Sequence, residues 1–267
     1  MNNAYSFLQE IGKEEHYSFR YSICTLVSKK DEYFEMVASF LEAGFNPASC
    51  EYLYIDNTHG NSYDAFAGLN CFLRKARGKY IILCHQDVLL NFDKRDALEQ
   101  RLAELDALDP QWGLCGNAGA AGPNYIVYRI SYPGGLTQSK GKFPEKVHSL
   151  DENFILVKNE AMLALSNNLR GFHLYGTDIC LQAAMRGYNA YVVDFHLTHK
   201  SRGNPDGQFR SIRRALIKKY NTLFRSRWIQ TTNTSFYLSG SRAGRMAGNG
   251  LFLFFSRMWH GLKKRLK

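Results

Sequence analysis

Tyr80-Ile81-Ile82-Leu83-Cys84, running straight into His85-Gln86-Asp87, is the stretch whose reading decides the fold. A continuous apolar run of this length reads as a strand buried on both faces, as in the middle of a parallel sheet. It stops abruptly at a polar knot. Upstream, Ala65–Arg77 carries Ala67, Asn70, Cys71 and Arg74 at helical intervals and ends at Gly78. Before it, Cys50–Ile55 reads as a strand that runs into the turn-rich cluster Asp56-Asn57-Thr58-His59-Gly60-Asn61. Earlier still, strand Tyr21–Val27 is followed by helix Asp31–Ala43, with Phe34, Val37, Ala38 and Leu41 on one face and Gly44 to close it. Downstream, Phe92–Leu108 is amphipathic, with Ala97, Leu98, Leu102, Leu105 and Leu108 along one side. Three strand–helix repeats predict an α/β, Rossmann-like architecture around a mostly parallel sheet. Such sheets bind ligands beyond the carboxyl ends of their strands. Here those ends are Ser28, Asp56-Asn57 and His85-Gln86-Asp87.

Past Leu108 the pattern is less regular. Trp112–Gly122 reads as a strand leaving into a glycine-rich loop. Tyr125–Tyr132 and Asp151–Lys158 read as strands. Asp178–Arg186 reads as a helix closed by Gly187, and Ala190–Val193 as a strand. From Pro205 the chain turns into a basic helix. Phe209, Ile212, Ala215, Leu216 and Tyr220 share one face, and Arg210, Arg213, Arg214, Lys218 and Lys219 another.

Composition narrows the function classes. The chain has 267 residues, 45% hydrophobic and 22% charged, enough to bury its own core and too apolar for global disorder. Its net charge of +10 is unevenly placed: residues 1–200 sum to −4, and residues 201–267 to +14. A slightly acidic body without a recognisable DNA or RNA module argues against a nucleic-acid partner. The six cysteines show no CxxC or metal-type spacing and read as buried free thiols of a reducing cytosol. The N-terminal Met1–His16 has acids where a signal peptide carries bases, and no apolar run reaches the ~18–20 residues of a membrane span. The expected location is cytoplasmic.

Several residues can carry chemistry, each with a plainer alternative. Asp87 at the mouth of a buried strand can ligate Mg²⁺ or Mn²⁺, which are commonly held by one or two carboxylates plus substrate phosphates; it can also serve as a turn cap. Asp56 can accept a hydrogen bond from a base or ribose hydroxyl, or complete an ordinary Asp-Asn turn. Asp178 opens a helix, where a carboxylate is either a general base facing a cleft or a partner of the helix dipole. His196 and His199 lie three apart after a strand, so one of them at most reaches a site. Gly116–Gly122 is G-x-x-G-x-x-G after the fourth strand, not a dinucleotide fingerprint. No Walker A, GxSxG or HExxH motif occurs.

Taken in order, these segments resemble the GT-A glycosyltransferases, in particular the family-2-like, sugar-nucleotide-dependent group. Asn70-Cys71-Phe72-Leu73-Arg74-Lys75-Ala76-Arg77-Gly78-Lys79-Tyr80-Ile81 is similar to that family's N-x-G-x-x-x-A-x-G-x-Y-I approach to its metal-binding strand. Where the family has D-x-D, this chain has His85-Gln86-Asp87, so histidine replaces the first acid. Ile55-Asp56-Asn57 resembles the turn whose acid contacts the nucleobase. Asp178-Ile179-Cys180-Leu181-Gln182-Ala183 with Gly187-Tyr188 resembles the helix carrying the acceptor-side carboxylate. The family's Glu-Asp pair just before that helix reads Tyr175-Gly176 here. The resemblance covers roughly residues 20–203.

The resemblance implies a GT-A fold over residues 1–204, with a nucleotide-binding half at about 20–122 and an acceptor half at about 123–204. It implies an inverting glycosyltransferase, hexosyltransferase-like, moving a sugar from a nucleotide-sugar donor to a saccharide or lipid-linked saccharide. Ser28, Asp56, Asn57, Asn70, His85 and Gln86 would bind the nucleotide. Asp87 and His199 would hold a divalent cation, Mn²⁺ or Mg²⁺. Asp178 would take the proton of the acceptor hydroxyl. The glycine-rich 116–122 and the loop 133–146 would be acceptor-side or lid elements. The alternative is a sugar-nucleotide-binding scaffold without turnover. Residues 205–267 form a basic helical appendage. Its end, Leu251–Lys267, mixes Phe, Trp and Leu with a basic cluster, the composition of an anchor on an anionic cytoplasmic membrane face. A helix packed on the catalytic body is the other reading of it.

Overall fold

The structure is a computed structural model that describes residues 7–12, 16–134, 136–201, 207–246, 254, 255, 258 and 259. The chain divides into two compact units, Met1–Ile212 and Arg213–Lys267.

The first unit alternates strand and helix as its periodicity predicts. Strand β1 (Phe19–Val27) leads to α1 (Lys30–Glu42), β2 (Cys50–Asp56) to α2 (Ala65–Lys75), and β3 (Gly78–Cys84), through the two-residue β4 (Val88–Leu89), to α3 (Arg95–Leu108). Asp64 caps α2 by accepting from the Ala67 N–H at 2.9 Å. Tyr80 to Cys84 are all buried. The helix expected from Phe92 begins at Arg95.

Two sheets follow from the rest of the chain: β5 (Trp112–Gly116), β6 (Ala118–Gly122), β7 (Tyr125–Tyr132), β8 (Leu136–Lys140), β9 (Glu145–Val147), β10 (Ser149–Leu150), β11 (Phe154–Lys158), then α4 (Tyr175–Met185), β12 (Asn189–Val192) and β13 (Leu197–His199). The large sheet has the order β2-β1-β3-β11-β5-β12-β9. Only β11 and β9 run against the other five strands, so the sheet is mostly parallel. The second sheet, β10-β6-β7-β13-β4 with β8 beside β7, is mainly antiparallel. The core centres on Tyr21, Tyr80, Trp112, Ile82, Leu156 and Phe154.

The glycine-rich stretch expected to be a loop is strand β6. Asn117, wholly buried, turns the chain from one sheet into the other. Its amide donates to the Arg129 carbonyl at 3.1 Å, and its carbonyl accepts from Arg129 N–H at 2.8 Å. The small residues serve close approach rather than flexibility: a Cβ on Gly119 would sit 2.4 Å from the Ser149 carbonyl oxygen. The expected loop 133–146 likewise holds β8 and the start of β9.

The boundary between the units falls inside α5 (Gly207–Phe224). The second unit continues with the hairpin β14 (Arg227–Gln230) and β15 (Ser235–Leu238), then α6 (Arg242–Met246). No helix among the described residues is long and apolar enough to cross a membrane. The proposed lipid-facing end lies mostly outside the described residues.

Candidate active site at the strand ends

The carboxyl ends of β1, β2 and β3 open onto a cavity of about 770 Å³, within the ordinary size of a small-molecule site. Ser28, Asn57, His85, Gln86 and Asp87 line it, as do two lysines, Lys29 and Lys200. Gln86 bridges its rim. Its Oε1 accepts from Ser28 N–H at 2.8 Å and Lys29 N–H at 2.9 Å, and its Nε2 donates to Glu32 at 3.1 Å. Because α1 has no side-chain cap of its own, Gln86 supplies one from the turn between β3 and β4. Gln86→Ala is expected to cost about 1–2 kcal/mol of stability in urea unfolding, through these orphaned N–H groups.

Two of the lining residues, His85 and Asp87, belong to a His-Asp-His cluster. The chain crosses from the first sheet to the second at residues 85–87, and β13 then pairs with β4 so that His199 lies opposite Val88. That pairing places His199 Nε2 3.3 Å from Asp87 Oδ1 and 3.4 Å from His85 Nδ1. The ligating atoms of His85, Asp87 and His199 all lie within 4.8 Å of one another.

Hydrogen bonding settles the His85 tautomer. The Tyr175 hydroxyl donates to the Glu152 carbonyl oxygen at 3.0 Å, so at 2.8 Å it accepts from His85 Nε2. The Nδ1 lone pair then faces Asp87 and His199, the arrangement a metal-ligating imidazole needs. Burial, followed by the nearby His199, pushes His85 down to about 4, so it is neutral at pH 7. Burial pushes Asp87 up, but hydrogen bonds from His199 and Ser201 and the closeness of the two imidazoles outweigh it. The carboxyl stays well below the usual range. Two imidazoles and one carboxylate this close together, with His85 and Asp87 in the cavity lining, fit a divalent transition-metal ion.

The other expected residues lie elsewhere. Asp178 is wholly buried and lines neither this cavity nor the second one described below. Its two oxygens accept from Ser166 N–H at 2.7 Å and Ser166 Oγ at 2.5 Å. The expectation of a general base there is corrected: a helix-opening acid turned inward holds a neighbouring loop. Asp178→Asn is expected to lower stability by about 1–3 kcal/mol, seen in thermal melting, while nucleotide titrations stay unchanged. Asn70 is also corrected. Its amide exchanges hydrogen bonds with Leu165, donating to the carbonyl at 3.1 Å and accepting from N–H at 2.8 Å, which ties α2 to that loop. Asp56 is outside the cavity wall, bound to Thr58 N–H at 2.9 Å and paired with Lys30 at 2.9 Å. These partners hold its carboxyl below the usual range, the Thr58 hydrogen bonds first. Asn57 reaches the cavity while closing its own turn on Tyr63. His196 stacks on Phe92 at 3.8 Å and contacts Ser131, outside the cluster.

Sequence reasoning did not single out Tyr175, Lys29 and Lys200, which line the cavity, and read His85 as a nucleotide contact rather than as a member of the cluster with Asp87 and His199. The H-x-D knot was the available signal for His85.

No family model matches the chain. Its fold is GT-A-like: S. aureus TarS 1-349 superposes with a TM-score of 0.51 at 11% identity, covering 76% of this chain and 66% of that one. The chain thus spans slightly less than two thirds of that structure, and the likeness is one of fold. The sequence relation is closer with a protein of Fuscovulum blasticum, named "ATP synthase subunits region ORF 6". The two are 34% identical over 226 residues, 82% of this chain and 91% of the other. Identity at that level over nearly the whole of both chains means that this chain belongs to the family of that ORF 6 protein.

Proposed function

We propose that the protein is a metal-dependent glycosyltransferase that transfers a sugar from a nucleotide-sugar donor to a saccharide acceptor. The observation that carries this reading is the His85–Asp87–His199 cluster, two of whose members, His85 and Asp87, line a nucleotide-sized cavity at the strand ends of a GT-A-like fold. Asn57 and Ser28 would meet the nucleoside. Lys29 and Lys200, both on the cavity wall, suit the diphosphate. His85, Asp87 and His199 would hold a divalent cation, which would supply charge stabilisation for the leaving diphosphate. Direct displacement by an acceptor hydroxyl inverts the anomeric centre. The nucleotide half would span residues 20–122 and the acceptor half 123–204. A lipid-linked acceptor, and attachment to a cytoplasmic membrane face, rest on the basic tail alone.

Calorimetric titration of UDP, GDP and dTDP, with and without Mn²⁺, tests the reading. Metal-enhanced binding of one nucleotide is expected. Because two imidazoles sit in the ligand set, Mn²⁺ should support binding at least about tenfold better than Mg²⁺, which favours oxygen ligands. If none of the three nucleotides binds in either condition, the transferase reading is wrong.

A further inference from the structure

A second cavity, of about 380 Å³, is lined in part by residues at the start of α4. Tyr175 lines the donor cavity, while its chain neighbours Leu174 and Thr177 line the second. The walls come from β6, β7, β8 and β10. Tyr128, Tyr132 and Phe209 offer aromatic surface, and Gln138, Ser149 and Thr177 offer an amide and hydroxyls. Aromatic surface with a few placed donors and acceptors is what a saccharide needs. The carboxylates in the lining are Asp151 and Glu152.

Glu152 lines the second cavity and is tied to the donor cavity through Tyr175. Its backbone carbonyl accepts from the Tyr175 hydroxyl, which in turn accepts from His85. Its side-chain Oε1 accepts from Gly176 N–H at 3.2 Å, in the first turn of α4. Gly176 makes room for this: a Cβ there would lie 2.2 Å from the Leu150 carbonyl oxygen and 3.2 Å from Glu152 Cγ. Leu174 just before it takes a left-handed φ of 62°, a conformation that costs energy for a leucine and aims the helix start at Glu152.

Resting on the transferase reading above, we propose that this second cavity is the acceptor-saccharide subsite and that Glu152 is the base for the acceptor hydroxyl. The hydroxyl oxygen attacks the anomeric carbon of the nucleotide sugar. The bond from that carbon to the diphosphate oxygen breaks, and its electron pair leaves with the nucleoside diphosphate. The hydroxyl proton passes to the Glu152 carboxylate. Burial holds that carboxyl up at about 8. The backbone around Gly176, Tyr175 and Leu174 draws it down, and the neighbouring Asp151 raises it. The other titratable groups of the lining are the phenols of Tyr128 and Tyr132. A base of this kind gives a rate that rises with pH towards 8.

The test uses the full chain and three variants. Glu152→Gln removes the base, Glu152→Asp shortens it, and Ala120→Trp fills the cavity; circular dichroism checks that each folds. Calorimetry with UDP, GDP and dTDP in Mn²⁺ should give affinities within about twofold of wild type for all three. Saturation-transfer NMR with methyl glycosides of hexoses and N-acetylhexosamines should show binding to wild type and none to Ala120→Trp. With the matching nucleotide sugar and glycoside, diphosphate release should fall about 100-fold or more in Glu152→Gln and lose its alkaline rise, with partial recovery in Glu152→Asp. Nucleotide binding with glycoside signals that persist in Ala120→Trp overturns the subsite and leaves the donor reading standing. Turnover of Glu152→Gln within about twofold of wild type overturns the base. Failure of wild type to bind any of the nucleotides overturns the transferase reading, and this inference with it.

Discussion

With Asp87 replaced by alanine, divalent-cation-dependent nucleotide binding is expected to disappear. Asp87 is the one anion in the three-ligand cluster, because His85 is neutral at pH 7 and lends only a lone pair. Two imidazoles left alone still attract a transition metal, but without charge neutralisation. Loss of a neighbour that merely orients a ligand costs 10–100-fold in metal affinity, so loss of the charged ligand itself should cost about 100-fold or more. The fold should suffer little. Asp87 is a largely buried carboxylate whose partners, His199 and Ser201, also contact each other at 3.3 Å. Removing it relieves desolvation as well as breaking a hydrogen bond, so the net change in stability is about 1 kcal/mol. Calorimetry with Mn²⁺ and the preferred nucleotide, beside a thermal melt, separates the two effects. Undiminished Mn²⁺-dependent binding in Asp87→Ala would show that the cation, if used, is held elsewhere.

The largest stability effect is expected at Trp112. Its side chain is wholly buried and stacks on Tyr80, with ring centroids 6.1 Å apart and planes inclined by 15°. Its indole N–H donates to Asp106 Oδ1 at 2.7 Å. Lys158 Nζ lies 4.2 Å above the ring and 2.9 Å from the same carboxylate. Trp112 therefore joins β3, β5, β11 and the end of α3 at one point. Trp112→Ala removes a large apolar side chain from a packed interior and leaves a cavity, at about 3–5 kcal/mol. It also strips one partner each from Asp106 and Lys158. Trp112→Phe keeps most of the packing and loses the indole hydrogen bond, about 1–2 kcal/mol. Urea denaturation of both variants measures the difference. Equal losses in the two would mean that the hydrogen bond, not the volume, holds the site. Because Trp112 is at the far end of the strands from His85, cation-dependent nucleotide binding in Trp112→Phe should match wild type.

How much of this was legible in the residues depends on the range of the interactions. Strands β1, β2, β3 and β7 and helices α1, α2 and α4 stand within a few residues of their expected positions, because apolar periodicity and glycine stops are local. Ser28, Asn57, His85, Gln86 and Asp87 meet around one cavity because a parallel sheet brings successive strand ends together whatever lies between them. The glycine-rich segment 116–122 misled for the opposite reason. Small residues have no apolar period, and only the close approach of β10 shows why they form a strand.

Local pattern alone determined the α/β class, the strand-end location of the candidate site and the polar knot at residues 85–87. Tertiary structure decided the rest. The pairing of β13 with β4 sets His199 against Asp87 across 112 positions of chain. The inward turn of Asp178 onto Ser166 removes it from the cavity, and the fold of residues 150–153 against the start of α4 puts Glu152 in the wall of the second cavity. Each of these depends on which side of a helix or strand faces which neighbour. That orientation is set by the packing of elements distant in sequence, and the residues around each group carry no trace of it.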